Sequence, residues 1–371
     1  MTYVLAAERV CPSGPPAPGW VAFDDGLIVE VGSGPAPAGA VDAGSALLAP
    51  GFIDLQVNGV GDVDFVSADA DGWRRAGRSQ LEEGVTAFCP TLVTAPLDAY
   101  APALERVRAA RAVADDEAIP AILGVHLEGP FLGGAPGAHP VGLVRPADCA
   151  WLRALLRAFP ALVTIVTLAP EADPGFAATR LLDEQGVTVA LGHSTATYET
   201  ARAAADAGAR LVTHLFNGMG PLHHREPGLA GAALDDERLT PTLIPDLVHV
   251  HPAALRLAIR NKHMVALVTD RVATTGLTVT EDGAARLADG TLAGSTLSMA
   301  RAVQNTVALG IPVERAVEMA ATMPADALGL RDRGRIAQGM RADLVALDPS
   351  SLAVRAVWLG GELVVGSVEP G

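Results

Sequence analysis

The sequence has 371 residues, half of them hydrophobic, which is enough to bury a large core. Its net charge of −15 argues against a nucleic-acid or anionic-membrane partner, because both require clustered lysine and arginine. The three cysteines form no CxxC pair and leave an odd number, which predicts a reducing, cytoplasmic compartment instead of a disulfide framework.

The first part of the chain, residues 2–49, contains short β-like pieces that are broken by Pro- and Gly-rich stretches. Its start lacks the basic region of a signal peptide, and no apolar run reaches membrane-spanning length.

From Pro50 to Asp270, apolar runs alternate with longer segments of helical period, which predicts βα units. Eight runs are candidate strands: GFIDLQV, TAFCPTLV, AILGVHLE, LVTIVTLA, VTVALGHS, ARLVTHLF, TPTLIPDLVHV and HMVALVTD.

The last part of the chain, GRIAQGMRADLVALDPSSLAVRAVWLGGELV, again has the pattern of short strands and turns. Eight parallel strands are the number that closes a (β/α)₈ barrel, which needs about 250 residues. We therefore predict an α/β protein with a (β/α)₈ barrel over residues 50–331. The two termini, residues 1–49 and 332–371, are predicted to pair into one small β-sandwich domain.

Four of the predicted strands close on a residue that can bind a metal or move a proton: Glu128, His193, His214 and Asp270. In a (β/α)₈ barrel such positions lie at the C-terminal mouth, where the chemistry takes place. Two imidazoles and one carboxylate would hold one divalent ion with a position open for water, and a second carboxylate could handle the proton of that water. The alternatives are buried core histidines, and a helix cap or turn at Asp270.

The sequence favours one metal ion over two. Some two-metal barrel hydrolases bridge their ions with a carboxylated lysine at a strand end, but the single lysine, Lys262, lies just before the eighth strand, on the opposite face. In the first strand, Gln56 and Asn58 stand where an HxH pair would supply ligands for a second ion.

Three further residues are candidates for contact with a substrate. His139 lies in a Gly-rich loop that could aim its imidazole at a carbonyl oxygen, with a solvent-exposed loop histidine as the alternative. Arg225, beside two histidines in PLHHREPG, could hold a phosphate or belong to a solvated surface patch. His249 is predicted to close the seventh strand and to reach the substrate.

These motifs resemble the amidohydrolase superfamily, and within it the family of N-acetylglucosamine-6-phosphate deacetylases. The resemblance runs nearly end to end, with the segments PGFIDLQVNG, GVHLEGPFL, GAHP, LGHSTA, THLFNGMGPLHHREPG, LVTD and LADGTLAGSTLSM in the family's order. It implies hydrolysis of N-acetyl-D-glucosamine 6-phosphate to D-glucosamine 6-phosphate and acetate by a metal-activated water.

The resemblance also implies roles for individual residues. At the matching positions these are the metal ligands Glu128, His193 and His214, the general base and acid Asp270, the carbonyl-polarising His139, and the substrate contacts Gln56, Ala138, Asn217, Gly218, Arg225 and His249. One divalent ion per subunit is expected, with Zn²⁺ as the first choice and Fe²⁺, Co²⁺ or Mn²⁺ as alternatives. Because the phosphate-binding arginine of this family can come from a neighbouring subunit, a homodimer is implied.

Departures from the family pattern bear on the substrate more than on the chemistry. Gly218 replaces a common alanine, Pro245 and Leu247 replace an alanine and a glycine, and the segment 274–288 is shorter, which predicts a trimmed lid. Arg271 follows Asp270 and is expected to lower the pKa of that carboxyl if the side chains approach. Another N-acetylated amino sugar is therefore an alternative substrate, and a non-catalytic scaffold is a third interpretation.

Overall fold

A computed structural model describes residues 2–12 and 14–367 of the chain. Residues 1, 13 and 368–371 of the predicted terminal domain lie outside this described part. The chain begins with five strands: β1 (Tyr3–Val10), β2 (Ala17–Asp24), β3 (Leu27–Ser33), β4 (Val41–Asp42) and β5 (Leu47–Pro50). Strands β1, β2 and β3 are antiparallel neighbours, whereas β4 and β5 run parallel to β1.

The middle of the chain forms the barrel. Its elements are β6 (Phe52–Val57), β7 (Gly59–Val60), β8 (Val63–Asp64), α1 (Ala70–Glu82), β9 (Val85–Val93), α2 (Tyr100–Asp116), β10 (Ala121–Ile122), β11 (Val125–Glu128), α3 (Cys149–Ala158), β12 (Val163–Leu168), α4 (Ala177–Glu184), β13 (Thr188–Leu191), α5 (Tyr198–Asp206), β14 (Ala209–Val212), α6 (Gly228–Asp235), β15 (Thr240–Leu243), α7 (Pro252–Asn261) and β16 (Ala266–Leu267). Strands β6, β9, β11, β12, β13, β14, β15 and β16 are parallel neighbours in that order. The predicted eight-stranded barrel is confirmed, and each strand overlaps one of the predicted runs.

Local sequence explains where several of these helices begin. Helix α1 starts after Asp69, whose side chain accepts a hydrogen bond from the backbone N–H of Gly72, and Asp148 caps α3 in the same way. Thr197 caps α5. A side-chain oxygen at this position pairs one of the backbone N–H groups that have no partner in the first helical turn. Within the described ranges, none of the helices combines the length and apolar character needed to span a bilayer.

After the barrel strands, three short antiparallel strands cover one side of the barrel mouth: β17 (Thr278–Val279), β18 (Ala284–Arg286) and β19 (Leu292–Ser295). We call residues 274–295 the flap. The trimmed segment predicted here therefore keeps its strands. The chain continues with α8 (Met299–Ala308), α9 (Val313–Ala320), α10 (Thr322–Ala327), β20 (Leu344–Leu347), β21 (Val354–Leu359) and β22 (Glu362–Gly366).

The two termini meet in one sheet, as predicted. Strand β20 pairs antiparallel with both β5 and β21, which joins the N-terminal strands to the C-terminal ones. The result is a mixed sheet built from both termini, which confirms the predicted small terminal β domain. Its buried side chains, among them Leu5, Phe23 and Trp358, form a hydrophobic cluster separate from the barrel core. The exact domain boundaries, at residues 50 and 331, stay a prediction.

The barrel closes at a seam between its first strand, β6, and its last strand, β16. The buried Asp54 accepts hydrogen bonds from the backbone N–H of Thr269, at 3.2 Å, and from its hydroxyl, at 2.6 Å. The backbone N–H of Asp270 bonds the carbonyl oxygen of Gln56 at 2.9 Å, and the N–H of Asn58 bonds that of Arg271 at 2.7 Å. The end of the eighth strand is thus tied to the end of the first.

We expect Asp54→Ala to lower the free energy of unfolding by about 2–4 kcal/mol, because it leaves the buried hydroxyl and N–H of Thr269 without their acceptor. Denaturant unfolding followed by circular dichroism measures the change. Asp62→Ala is the control, because Asp62 is exposed and pairs with Arg75 at the surface, where such pairs contribute about 0–1 kcal/mol. Equal losses in the two variants would contradict a special role for the seam.

Candidate active site

The polar strand ends predicted from the sequence come together at the C-terminal mouth of the barrel. Oε1 of Glu128 lies 3.0 Å from Nε2 of His193 and 3.0 Å from Nε2 of His214, and the two imidazole nitrogens are 3.1 Å apart. All three side chains are buried. Asp270 lines the same cavity. Glu128 ends one barrel strand and the other three residues closely follow the ends of three others, so only the barrel brings the four together.

The hydrogen bonds of His193 define which of its nitrogens is free to bind a cation. Its Nδ1 lies 3.1 Å from the carbonyl oxygen of Ala135, which can only accept, so Nδ1 carries the proton and Nε2 presents a lone pair. That lone pair points at a carboxylate oxygen of Glu128, 3.0 Å away. Two acceptors at this distance repel each other unless a cation lies between them. A carboxylate and two imidazoles are suitable ligands for a divalent ion such as zinc.

His139 also lies near Glu128 but in a different arrangement. Glu128, His139 and His193 have ligand atoms within 4.8 Å of one another, yet Nε2 of His139 is 3.8 Å from Oε1 of Glu128. The backbone N–H of Thr94 donates to Nδ1 of His139 at 3.4 Å, and the Thr94 hydroxyl lies 2.9 Å from the same nitrogen. Because Nδ1 accepts, the neutral ring carries its proton on Nε2. His139 is therefore arranged as a hydrogen-bond donor at the cavity.

The two carboxylates of the site have opposite pKa shifts. Burial would raise the pKa of Glu128, but the three neighbouring imidazoles hold it well below its usual range. Burial, together with the negative charge of Glu128, raises the pKa of Asp270 to about 7. The amides of Asn58, at 2.9 Å, and Gln56, at 3.1 Å, donate to the same oxygen, Oδ1, of Asp270. A carboxyl group with a pKa near neutrality can both accept and return a proton.

Three of the four converging residues have left-handed backbone conformations, with φ of 48° at His193, 32° at His214 and 48° at Asp270. Residues other than glycine rarely adopt this region, which costs about 1–3 kcal/mol each and occurs mainly at functional sites. This backbone conformation directs each side chain from the end of its strand toward the common centre of the site. Gly218, with φ of 58°, lies against His193, and a Cβ there would be only 2.8 Å from Nδ1 of His193.

A cavity of about 760 Å³ opens above this cluster. Its walls are the loop 137–140, the pair Asn217 and Gly218, His249, and the flap residues Thr275, Leu277, Arg286, Leu287, Thr291, Leu292, Ala293 and Gly294. Of the predicted substrate contacts, Ala138, Asn217, Gly218 and His249 line the cavity. Among the described residues, Gln56 and Arg225 lie outside the lining.

Three predicted residues have surroundings that the sequence did not show. Gln56 contacts Asp270 and lies outside the cavity lining. Arg225 is exposed, with Nη1 2.9 Å from Nε2 of the neighbouring His224, and its contact with a phosphate stays a prediction. His249 does not close a strand, because β15 ends at Leu243. A loop carries His249 to the cavity, where Asp246 lies 2.6 Å from its Nδ1 and raises its pKa against the lowering effect of burial.

Arg271 does not approach the carboxyl group of Asp270 as expected. Its guanidinium donates to both carboxylate oxygens of Glu83, at 2.9 and 2.8 Å, and both side chains are largely buried. The expected lowering of the Asp270 pKa is therefore wrong, because the arginine charge is directed to a different carboxylate. Lys262 is likewise remote from the mouth: its Nζ donates to the carbonyl oxygen of Asp236 at 2.6 Å.

Sequence reasoning missed several residues that shape the site. Glu171 accepts hydrogen bonds from the hydroxyl of Ser194, at 2.5 Å, and the N–H of Thr195, at 2.7 Å, which fixes the segment directly after His193. Thr94 orients His139, and Arg286 reaches the cavity from the flap. These residues lie on other elements of the chain, at no regular spacing from the predicted site residues, so only the fold could reveal them.

Comparison with known proteins identifies the class. The sequence model of the amidohydrolase family matches residues 47–364. The chain therefore belongs to the amidohydrolase family, and it is a hydrolase of this type. It is 38% identical over 385 residues to N-acetylgalactosamine-6-phosphate deacetylase of Escherichia coli O157:H7, covering 98% of this chain and 99% of that protein. It is 41% identical over 349 residues to N-acetylglucosamine-6-phosphate deacetylase of Bos taurus, covering 87% and 84% of the two chains.

Solved structures agree with the sequence comparison. A mutant N-acetyl-D-glucosamine-6-phosphate deacetylase from Mycobacterium smegmatis, in complex with N-acetyl-D-glucosamine-6-phosphate, superimposes with a TM-score of 0.91 at 38% identity and covers 98% of this chain and 99% of its own. The N-acetylglucosamine-6-phosphate deacetylase of Thermotoga maritima gives a TM-score of 0.85 at 31% identity, covering 99% and 100%.

We expect Glu83→Gln to lower the free energy of unfolding by about 1–3 kcal/mol, because it leaves the guanidinium of Arg271 inside the protein without its carboxylate. Arg271→Met and the double variant complete a double-mutant cycle. The double variant should lose about 1 kcal/mol less unfolding free energy than the two single variants lose in sum. Additive losses would mean that the pair does not couple.

Proposed function

We propose that this amidohydrolase removes the acetyl group from N-acetyl-D-glucosamine 6-phosphate, giving D-glucosamine 6-phosphate and acetate. The observation that carries the proposal is the convergence of Glu128, His193 and His214 beside the near-neutral carboxyl group of Asp270 in one cavity. The relatives named for this reaction support it, since they are similar over most of the chain. A scaffold role would not require these four side chains to be aligned.

Glu128, His193 and His214 would hold one divalent ion, for which Zn²⁺ is our first choice and Fe²⁺, Co²⁺ or Mn²⁺ are alternatives. When bound, such an ion polarises a carbonyl group and lowers the pKa of a coordinated water. The hydrogen bond from Nδ1 of His193 to the carbonyl oxygen of Ala135 keeps the Nε2 lone pair directed at the ion site.

Asp270 is the proposed general base and acid. Its carboxylate takes a proton from the attacking water while the oxygen of that water forms a bond to the acetamide carbon. The carboxyl group then gives the proton to the leaving nitrogen as the C–N bond breaks, which releases the amine and acetate. Burial raises the pKa of this carboxyl group, which favours return of the proton. We assign Gln56 and Asn58 to the orientation of this carboxylate, through their hydrogen bonds to Oδ1.

His139 is the proposed donor to the acetamide oxygen. Thr94 fixes the ring so that the Nε2 proton faces the cavity, where negative charge develops on the oxygen during attack. Ala138 borders the acetyl group, and Asn217, Gly218 and His249 contact the sugar phosphate. We further propose a cytoplasmic homodimer in which the exposed Arg225 serves the neighbouring subunit.

N-acetylgalactosamine 6-phosphate is the second candidate substrate. The observation in its favour is that a deacetylase named for this sugar matches 98% of the chain at 38% identity. The two sugars differ only in the configuration at C4, so the acetamide chemistry is the same. The ratio of their kcat/KM values would decide which sugar the cavity prefers.

The first test is acetate release from N-acetylglucosamine 6-phosphate by zinc-loaded protein. We expect turnover by the natural sequence and a loss of at least about a hundredfold for Asp270→Asn, which keeps the size of the side chain but cannot take the proton. No release from either sugar phosphate by a protein that retains its metal would overturn the proposed substrates. Equal turnover by the variant would remove Asp270 from the reaction.

Two histidine variants separate metal binding from carbonyl polarisation. His193→Asn should lose both bound zinc and activity, because it removes a ligand nitrogen. His139→Asn should keep the metal, about one ion per chain, while its kcat falls by about 10²–10³-fold, the usual effect of losing one oxyanion donor. Metal analysis after gel filtration, combined with acetate release, distinguishes them. Loss of metal in His139→Asn would instead make His139 a ligand.

A further inference from the structure

The cavity contains a cation that none of the proposed steps uses. Arg286 ends strand β18 of the flap, is partly buried and lines the cavity. Among the described lining residues it is the only arginine, and the single lysine of the chain lies elsewhere. A permanent positive charge that faces a substrate cavity can pair with an anionic group of a ligand, and the acidic residues of the lining are largely engaged in other contacts.

The acidic lining residues are Asp64, Glu128 and Asp270. Glu128 contacts the imidazoles and Asp270 accepts from the amides of the first strand. Asp64 is exposed and accepts from the backbone N–H of Val66 at 2.8 Å. Asp282, on the same flap, is within electrostatic reach of Arg286 but lies outside the cavity lining. Inside the cavity, the positive charge is therefore available to an anionic group that a ligand brings.

The hairpin between β18 and β19 fixes the direction of Arg286. Arg286 pairs with Leu292 across the hairpin, and its Nη1 donates to the carbonyl oxygen of Gly290 at 2.9 Å. A guanidinium has five N–H donors in a planar fork that matches the oxygens of a phosphate. One bond to the turn therefore anchors the group and leaves further donors for a ligand. The hydroxyl residues Thr275 and Thr291 lie on the same wall of the cavity.

His249 lines the same cavity as Asp270 of the proposed reaction centre and Arg286 of the flap. The negative charge of Asp270 raises its pKa and the positive charge of Arg286 lowers it, which places both groups within electrostatic reach of the same imidazole. A hexosamine 6-phosphate carries its acetamide on C2 and its phosphate on C6, on opposite sides of the sugar ring. With the acetamide at Asp270, the phosphate would extend along the cavity toward the flap.

We propose that Arg286 is a specificity-determining residue that binds the 6-phosphate of the substrate from within the same subunit, beside His249. This inference rests on the proposed function for the identity of the sugar. It adds a cation on the flap to the exposed Arg225, which lies outside the cavity of its own chain.

The test compares N-acetylglucosamine 6-phosphate with unphosphorylated N-acetylglucosamine. Arg286→Met should raise KM for the phosphorylated sugar by about 10–100-fold with little change in kcat, the usual effect of losing a charge-assisted hydrogen bond. The kcat/KM for the unphosphorylated sugar should stay unchanged. Arg286→Lys should recover part of the loss. Arg301→Met, which removes the charge of an exposed arginine outside the cavity, is the matched control and should behave like the natural sequence.

An equal loss on both sugars, or no loss on either, would overturn the role of Arg286. If the natural sequence hydrolyses neither sugar, the proposed function fails, and calorimetric binding then tests the subsite separately. The natural sequence should bind glucosamine 6-phosphate more tightly than glucosamine, and Arg286→Met should abolish that difference. The same difference in both proteins, or none in the natural sequence, would overturn the subsite.

Discussion

Closure of the barrel between its first and last strands is the constraint on which the site depends. The carboxylate of Asp54 and two backbone hydrogen bonds tie the end of β16 to the end of β6. Asp270 is part of this seam, and the amides that hold its Oδ1 come from the end of the first strand, more than two hundred residues away in the chain. The seam therefore sets the position of the proposed base before any ligand binds.

The opposite side of the site depends on strain that neighbouring loops support. His193 and His214 leave their strands through left-handed backbone conformations, each of which costs free energy that packing and hydrogen bonds must offset. The carbonyl oxygen of Ala135 holds the ring of His193, and Glu171 holds the next two residues of the chain. Gly218 leaves room for the ring, since any side chain there would meet Nδ1.

Features that depend on hydrophobic periodicity could be predicted from the sequence, whereas features that depend on side-chain direction could not. Buried parallel strands are apolar runs with polar ends, so the eight strands and the residues Glu128, His193, His214 and Asp270 were visible. The direction of the Arg271 side chain was not, because its partner Glu83 directly follows helix α1, nearly two hundred residues earlier in the chain. His249 was assigned to a strand that stops at Leu243, since an apolar run does not show where a loop begins.

The positions of the departures from the family pattern bear on whether the chain is an active enzyme. Arg271 gives its charge to Glu83, and the left-handed φ of Gly218 suits glycine better than alanine, so neither change disturbs the contacts of the converging carboxylates and imidazoles. The changes at Pro245 and Leu247 flank Asp246, which still bonds His249. The departures from the family pattern thus lie around the cavity, whereas the carboxylates and imidazoles at the ends of the barrel strands match that pattern. This division favours an enzyme tuned toward a particular sugar over a scaffold, because a scaffold would gain nothing from maintaining three strained residues at one mouth.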